Sequence, residues 1–155
     1  MKISGSYPFS VPPAQVWAAI YDPATLKACI PQCDVIERVR PDYWLGRAVV
    51  KIGPFKTSFE GEITLSEVTP PTSYSIAIIA KSWLGTAQGQ AKVWLEAVDT
   101  GTHLHYEADV HIGIKLLDKA INLAQGMAKE LADAFFGRLA EAISKNSSRD
   151  QVRSE

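Results

Sequence analysis

Residues 2–10, "KISGSYPFS", alternate: Ile3, Gly5, Tyr7 and Phe9 share one parity, and Ser4, Ser6, Pro8 and Ser10 the other. Period two is the pattern of a half-buried strand. "PPAQVWAAIYD" follows and reads as a short helix with proline in its first turn. A second short helix is bounded by Asp22, a good N-cap, with Pro23 at the first helical position and Pro31 as its stop. From residue 34 to 113 the chain reads as six strands: "VIERV", "YWLGRAVVKI", "FKTSFEGEITLSEV", "SYSIAIIAKSW", "GTAQGQAKVWLEAV" and "THLHYEADVHIGI". "GPF", "PPTS" and "DTGT" punctuate them, and such short connections make the sheet antiparallel.

At residues 116–145 the period changes again. Leu117, Ile121, Ala124, Ala128, Leu131, Phe135, Leu139 and Ala142 fall on one helical stripe, with no proline between them. The pattern therefore predicts an α+β fold: a curved seven-stranded antiparallel sheet around a long C-terminal helix, with two short helices after the first strand. An apolar sheet face must be covered, and the long helix is the available cover. Residues 1–146 form one domain in this reading, and the polar stretch 147–155 is expected to fray.

Parity also predicts what lies between sheet and helix. The inward sets are Trp44, Gly46, Ala48, Val50 and Ile52; Phe55, Thr57, Phe59, Gly61, Ile63 and Leu65; Tyr74, Ile76, Ile78 and Ala80; Ala87, Gly89, Ala91, Val93 and Leu95; and Leu104, Tyr106, Ala108, Val110 and Ile112. Many are glycine or alanine, and Ala124 and Ala128 oppose them from the helix. Interiors pack densely, so small residues on both sides point to an apolar ligand cavity, although glycines also mark bulges that bend a sheet. The predicted lining is Tyr7, Phe9, Trp44, Phe59, Tyr74, Ile76, Ala87, Gly89, Tyr106, Val110, Ala124, Leu131 and Phe135. Its entrance is expected at Leu26, Ile30 and Pro31 on the second short helix, facing Gly53 and Pro54 of the turn "KIGPFK". Lys27, Lys51 and Lys56 lie near these segments.

Composition changes this picture little. The 155 residues are 46% apolar and 21% charged, as in an ordinary globular protein. A net charge of −1 argues against a nucleic-acid partner. "MKISGSYPFSV" lacks the apolar core of a signal peptide and no run is long enough to span a bilayer, so a cytoplasmic protein with at most peripheral membrane contact is expected.

Candidate chemistry is sparse. The inward sets contain no His, Asp, Glu, Lys or Arg, and a tyrosine with an ordinary pKa of about 10 is a poor general base. His103, His105 and His111 share parity with Glu107 and Asp109, so they read as a solvated outer face rather than a metal half-site. Cys29 and Cys33 are spaced C-x3-C, which is not the usual redox spacing, and lack the partners of a four-ligand zinc site. Cys29 reads as a buried small hydrophobe and Cys33 as a less buried thiol. No metal, cofactor or catalytic residue is expected.

The strings "VWAAIYDPATLKACIPQC", "KIGPFKTSFEGEITLSEV", "GTHLHYEADVHIGIKL" and "LADAFFGRL" span nearly the whole chain. In them the sequence resembles the helix-grip proteins of the Bet v 1/START-like (SRPBCC) superfamily, and within it the CoxG-like family of carbon monoxide dehydrogenase subunits. That resemblance implies a hydrophobic-ligand-binding fold and an accessory role to a molybdenum hydroxylase of the carbon monoxide dehydrogenase type, linked with membrane recruitment or enzyme assembly rather than catalysis. The expectation is a non-catalytic binder of an apolar small molecule, lipid- or quinone-like. The alternatives are a cyclase- or dehydratase-type enzyme on the same fold, and an interaction module with a filled core.

Overall fold

In the computed structural model, which describes residues 1–52, 54–114 and 118–153, each element grows from a local signal. Strand β1 covers Lys2–Phe9 and helix α1 covers Pro13–Ile20. Helix α2 covers Pro23–Cys29, where the Asp22 carboxylate accepts hydrogen bonds from Thr25 N at 3.1 Å and Thr25 Oγ1 at 2.6 Å. Two donors satisfied at one end make a strong N-cap. Ile30 is extended (φ −76°, ψ 120°), the conformation a residue before proline prefers, and the helix ends there.

Strands β2 (Cys33–Arg40), β3 (Tyr43–Ile52), β4 (Phe55–Thr69), β5 (Ser73–Ser82), β6 (Gly85–Val98) and β7 (Gly101–Ile114) follow, and helix α3 runs Asp118–Arg153. The seven strands form one sheet in the order β1-β7-β6-β5-β4-β3-β2, antiparallel at every step. The sheet does not close, so β1 and β2 are its edges. The helical backbone of α3 continues into the polar stretch after residue 146.

Inward parity holds clearly on β6, where Val93 and Leu95 are buried while Gln88, Gln90, Lys92 and Glu96 are exposed. Helix α3 lies in the curve of the sheet and packs closest on β1, β7 and β3, with α1 and α2 at its flank. Its buried side chains are Phe136, Leu139 and Ile143, flanked by half-buried Ala132, Phe135 and Ala142. The helix therefore buries a stripe one residue wider than the predicted one, because it faces the sheet on one side and the short helices on another. Leu117 and the side chains of Ile121 and Ala124, all on the predicted stripe, lie outside the described residues.

One end of the interior is solid. Val16, Thr102 and Leu139 are fully shielded from solvent. Thr102 Oγ1 donates to Val11 O at 2.7 Å, which ties the β1–α1 connection to the start of β7. Gly101 opens that strand at φ +147°, and a Cβ there would meet Phe9 O at 2.1 Å. Only glycine fits a positive φ and so close a backbone approach.

Candidate functional site: an apolar cavity under the long helix

The other end is hollow. A cavity of about 830 Å³ lies between α3, α2 and the inner face of β3–β7. Trp44, Ile63, Leu65, Tyr74, Ile76, Ala91, Val93, Leu104 and Tyr106 rise from the sheet as its floor and walls. Leu131, Ala132, Phe135 and Phe136 of α3 form its roof, and Ile20, Leu26, Ile30 and Pro31 close it on the side of the short helices. Volumes of a few hundred to about 1,000 Å³ are typical of small-molecule pockets. The cause is visible in the packing. Among the described residues helix α3 approaches β1, β7 and β3 but not to the same extent β6, β5 and β4, which lie between β7 and β3. Ala91 is too small to fill the gap.

Six of the residues expected to line a cavity do so: Trp44, Tyr74, Ile76, Tyr106, Leu131 and Phe135. Leu26, Ile30 and Pro31 of the expected entrance are on the wall as well. Others go elsewhere. Phe9 is 6% exposed and belongs to the solid end, drawn there by the Thr102 tether. Tyr7 stacks on Phe136 with ring centroids 4.3 Å apart, and its hydroxyl donates to the Asp133 carboxylate of α3 rather than to the cavity. Phe59, Ala87, Gly89 and Val110 face inward, but the cavity wall among the described residues does not include them. Pro54 is exposed and off the wall; Gly53 and the side chain of Ala124 lie outside the described residues.

Some wall residues escaped the parity argument. Gln32, Val49, Lys51 and Lys56 border the cavity where the α2–β2 connection meets the end of the β3–β4 hairpin. Val49 N donates to Gln32 O at 3.0 Å and joins the two segments. Gln32 adopts φ 64°, which turns the chain after Pro31. Lys51 and Lys56 are cross-strand partners, exposed, and without an ion pair among the described residues. The mouth is therefore positively charged.

The aromatic wall is held rigidly. The Arg38 guanidinium sits 4.9 Å from the Tyr21 ring centroid and 5.0 Å from that of Trp44, and donates to Tyr21 O. Tyr21 Oη and Trp44 Nε1 both donate to Pro41 O, at 2.7 and 3.3 Å. Trp17 meets Tyr74 edge-on at 5.4 Å. Such fixed rings keep a void from collapsing.

Among the described residues the cavity wall carries no carboxylate or imidazole. Burial pushes the Tyr74 hydroxyl well above its ordinary range. Burial, and then the Asp133 carboxylate, raise Tyr7; the same two causes raise Tyr106. All three stay neutral near pH 7 and have hydrogen bonds, not proton abstraction, to offer. Tyr74 has no hydrogen-bond partner among the described residues, and Thr57 Oγ1 is a buried side-chain oxygen that also lacks one there. Cys29 is buried, Cys33 half-buried, and both are free; burial is the main force raising both thiols, so neither is a poised nucleophile.

The fold has close counterparts among solved structures. A conserved protein from Geobacillus kaustophilus superposes with a TM-score of 0.85 at 23% identity, covering 94% of this chain and 96% of that one. A protein from Thermus thermophilus gives 0.70 at 14% identity over 95% and 99%. A putative uncharacterized protein from Rhizobium leguminosarum gives 0.68 at 15% over 94% and 95%. These likenesses support the helix-grip fold. No curated protein matches the chain. A family model for the CoxG subunit of carbon monoxide dehydrogenase matches residues 5–144.

Proposed function

Because the chain belongs to the CoxG family of carbon monoxide dehydrogenase subunits, we propose that it is a non-catalytic accessory protein that holds an apolar small molecule, lipid- or quinone-like, in service of a molybdenum hydroxylase of the carbon monoxide dehydrogenase type. The observation that carries the ligand is the 830 Å³ apolar cavity with its braced aromatic wall. Tyr74 and Tyr106 on the cavity wall, neutral at working pH, suit orientation of a ligand carbonyl or hydroxyl better than chemistry on it. The charged mouth at Lys51 and Lys56 favours a partner surface of opposite sign. No helix among the described residues is long and apolar enough to cross a membrane, and the membrane contact included in the proposal is at most peripheral. The test is native mass spectrometry of protein purified from its own host. A stoichiometric apolar adduct, displaced by an apolar fluorescent probe, is the expected result. Adduct-free protein that also fails to bind the probe defeats the proposal.

A further inference from the structure

On the outer face of the sheet, away from the cavity, three donors converge. We propose that Glu96, His103 and His105 form a binding site for a borderline divalent cation of the Zn²⁺ or Cu²⁺ class. His103 and His105 stand two apart on β7 and so project from the same face. Glu96 on β6 is the register partner of His103. Its Oε1 lies 3.9 Å from His103 Nδ1 and 3.7 Å from His105 Nε2, and the donor atoms of all three groups lie within 4.8 Å of one another. These separations exceed direct hydrogen bonds and lie within ion-pair range, so the donors are close enough to share one cation between them. A tetrahedral centre with arms of about 2.0–2.1 Å needs neighbouring donors roughly 3.3 Å apart. Half-exposed side chains close that gap by small rotations.

The surroundings orient the ligands. Ser6 Oγ on β1 lies 2.6 Å from His105 Nδ1. With the proton on Nδ1 donated to Ser6, the Nε2 lone pair is left facing Glu96. A second-sphere acceptor of this kind commonly fixes the tautomer of a metal-ligating histidine. Trp94, the register partner of His105, stacks on its ring at 5.5 Å and limits its rotation. Two imidazoles and one carboxylate select Zn²⁺ or Cu²⁺ over the oxygen-seeking Mg²⁺ and Ca²⁺. Three protein donors leave the fourth position open to water or to a group from another molecule. The sequence alone reads these histidines as merely solvated, because Glu96 joins them only through the β6–β7 register.

The experiment uses untagged protein stripped with a chelator, titrated with Zn²⁺ by calorimetry and with Co²⁺ by visible absorption. Saturation at one equivalent is expected, with the intense bands of four-coordinate cobalt. His105→Ala and Glu96→Gln weaken Zn²⁺ binding by at least about tenfold, and Ser6→Ala weakens it by about tenfold through lost orientation. Melting curves of the metal-free variants match the parent, since all three positions face solvent. Saturation unchanged by His105→Ala, binding lost only with Cys33→Ser, or no binding of either ion overturns the site.

Discussion

The two ends of the space under α3 are built from the same sheet and the same helix, yet one is solid and the other hollow. At the solid end, α1 lies against α3, β6 and β7, and Val16, Thr102 and Leu139 are wholly shielded. At the hollow end, α2 leans on β2 and α3 but leaves the middle strands uncovered, and about 830 Å³ stays open. The cavity is therefore not a packing failure of the whole domain. One short helix is seated as a plug and the other stands as a wall. Stability should therefore reside at the plugged end and binding at the hollow one.

The sharpest way to break that division is a pair of truncations. Leu139→Ala removes a fully shielded side chain and should cost about 2–5 kcal/mol in urea unfolding. Leu131→Ala, half-buried on the cavity roof, should cost clearly less, because its neighbours already face a void. Equal losses would mean the two ends are packed alike.

Next in size is Gly101→Ala. A Cβ 2.1 Å from Phe9 O at φ +147° forces the start of β7 away from β1, and backbone strain of this kind costs on the order of 1–3 kcal/mol. Thermal unfolding should show the loss with apolar-probe binding unchanged in the surviving native protein. Reduced probe affinity would mean the solid end shapes the cavity after all.

Ala91→Phe tests the hollow end by filling it. In a dense core this change overpacks and costs about 1–3 kcal/mol. Ala91 borders the cavity, so the ring has room, and the expected outcome is less than about 1 kcal/mol of stability lost while probe binding falls by tenfold or more. A large stability loss with probe binding intact would favour a filled interior.

How far the sequence carries these distinctions differs by element. The bounds of β3 and β6, the Asp22 cap and the inward parity of Val93, Leu95, Leu104 and Tyr106 all follow from local pattern and appear as expected. Local pattern works there because turn chemistry and the pleat act over a few residues. What it missed depends on long-range placement. Asp133 meets Tyr7 across 126 residues, and only the rotation of α3 decides that contact. Phe136 and Ile143 are more buried than the predicted Phe135 and Ala142, because the short helices turn the stripe. Lys51 and Lys56 border the cavity although parity points them outward. Glu96 joins the outer histidines through register alone.

The smallest expected effect concerns Tyr74, which sits on the cavity floor with its hydroxyl unpartnered among the described residues. Burial raises its pKa above the ordinary 10.0, so the native state keeps the phenolic proton after the unfolded chain has lost it. The native state then binds more protons than the unfolded state above about pH 10, and stability falls as pH rises through that range. Below about pH 10 both states are protonated and the contribution is constant. Tyr74→Phe should therefore leave stability near pH 7 within about 0.5 kcal/mol, because no hydrogen bond to a described residue is lost, and should flatten the decline between about pH 10 and 11 seen in urea titrations. The paired variant Tyr7→Phe gives up a hydrogen bond to Asp133 and should lose stability already at neutral pH. If Tyr74→Phe is the costlier of the two at pH 7, its hydroxyl is engaged, and the polar capacity ascribed to the cavity floor is already spent inside the protein.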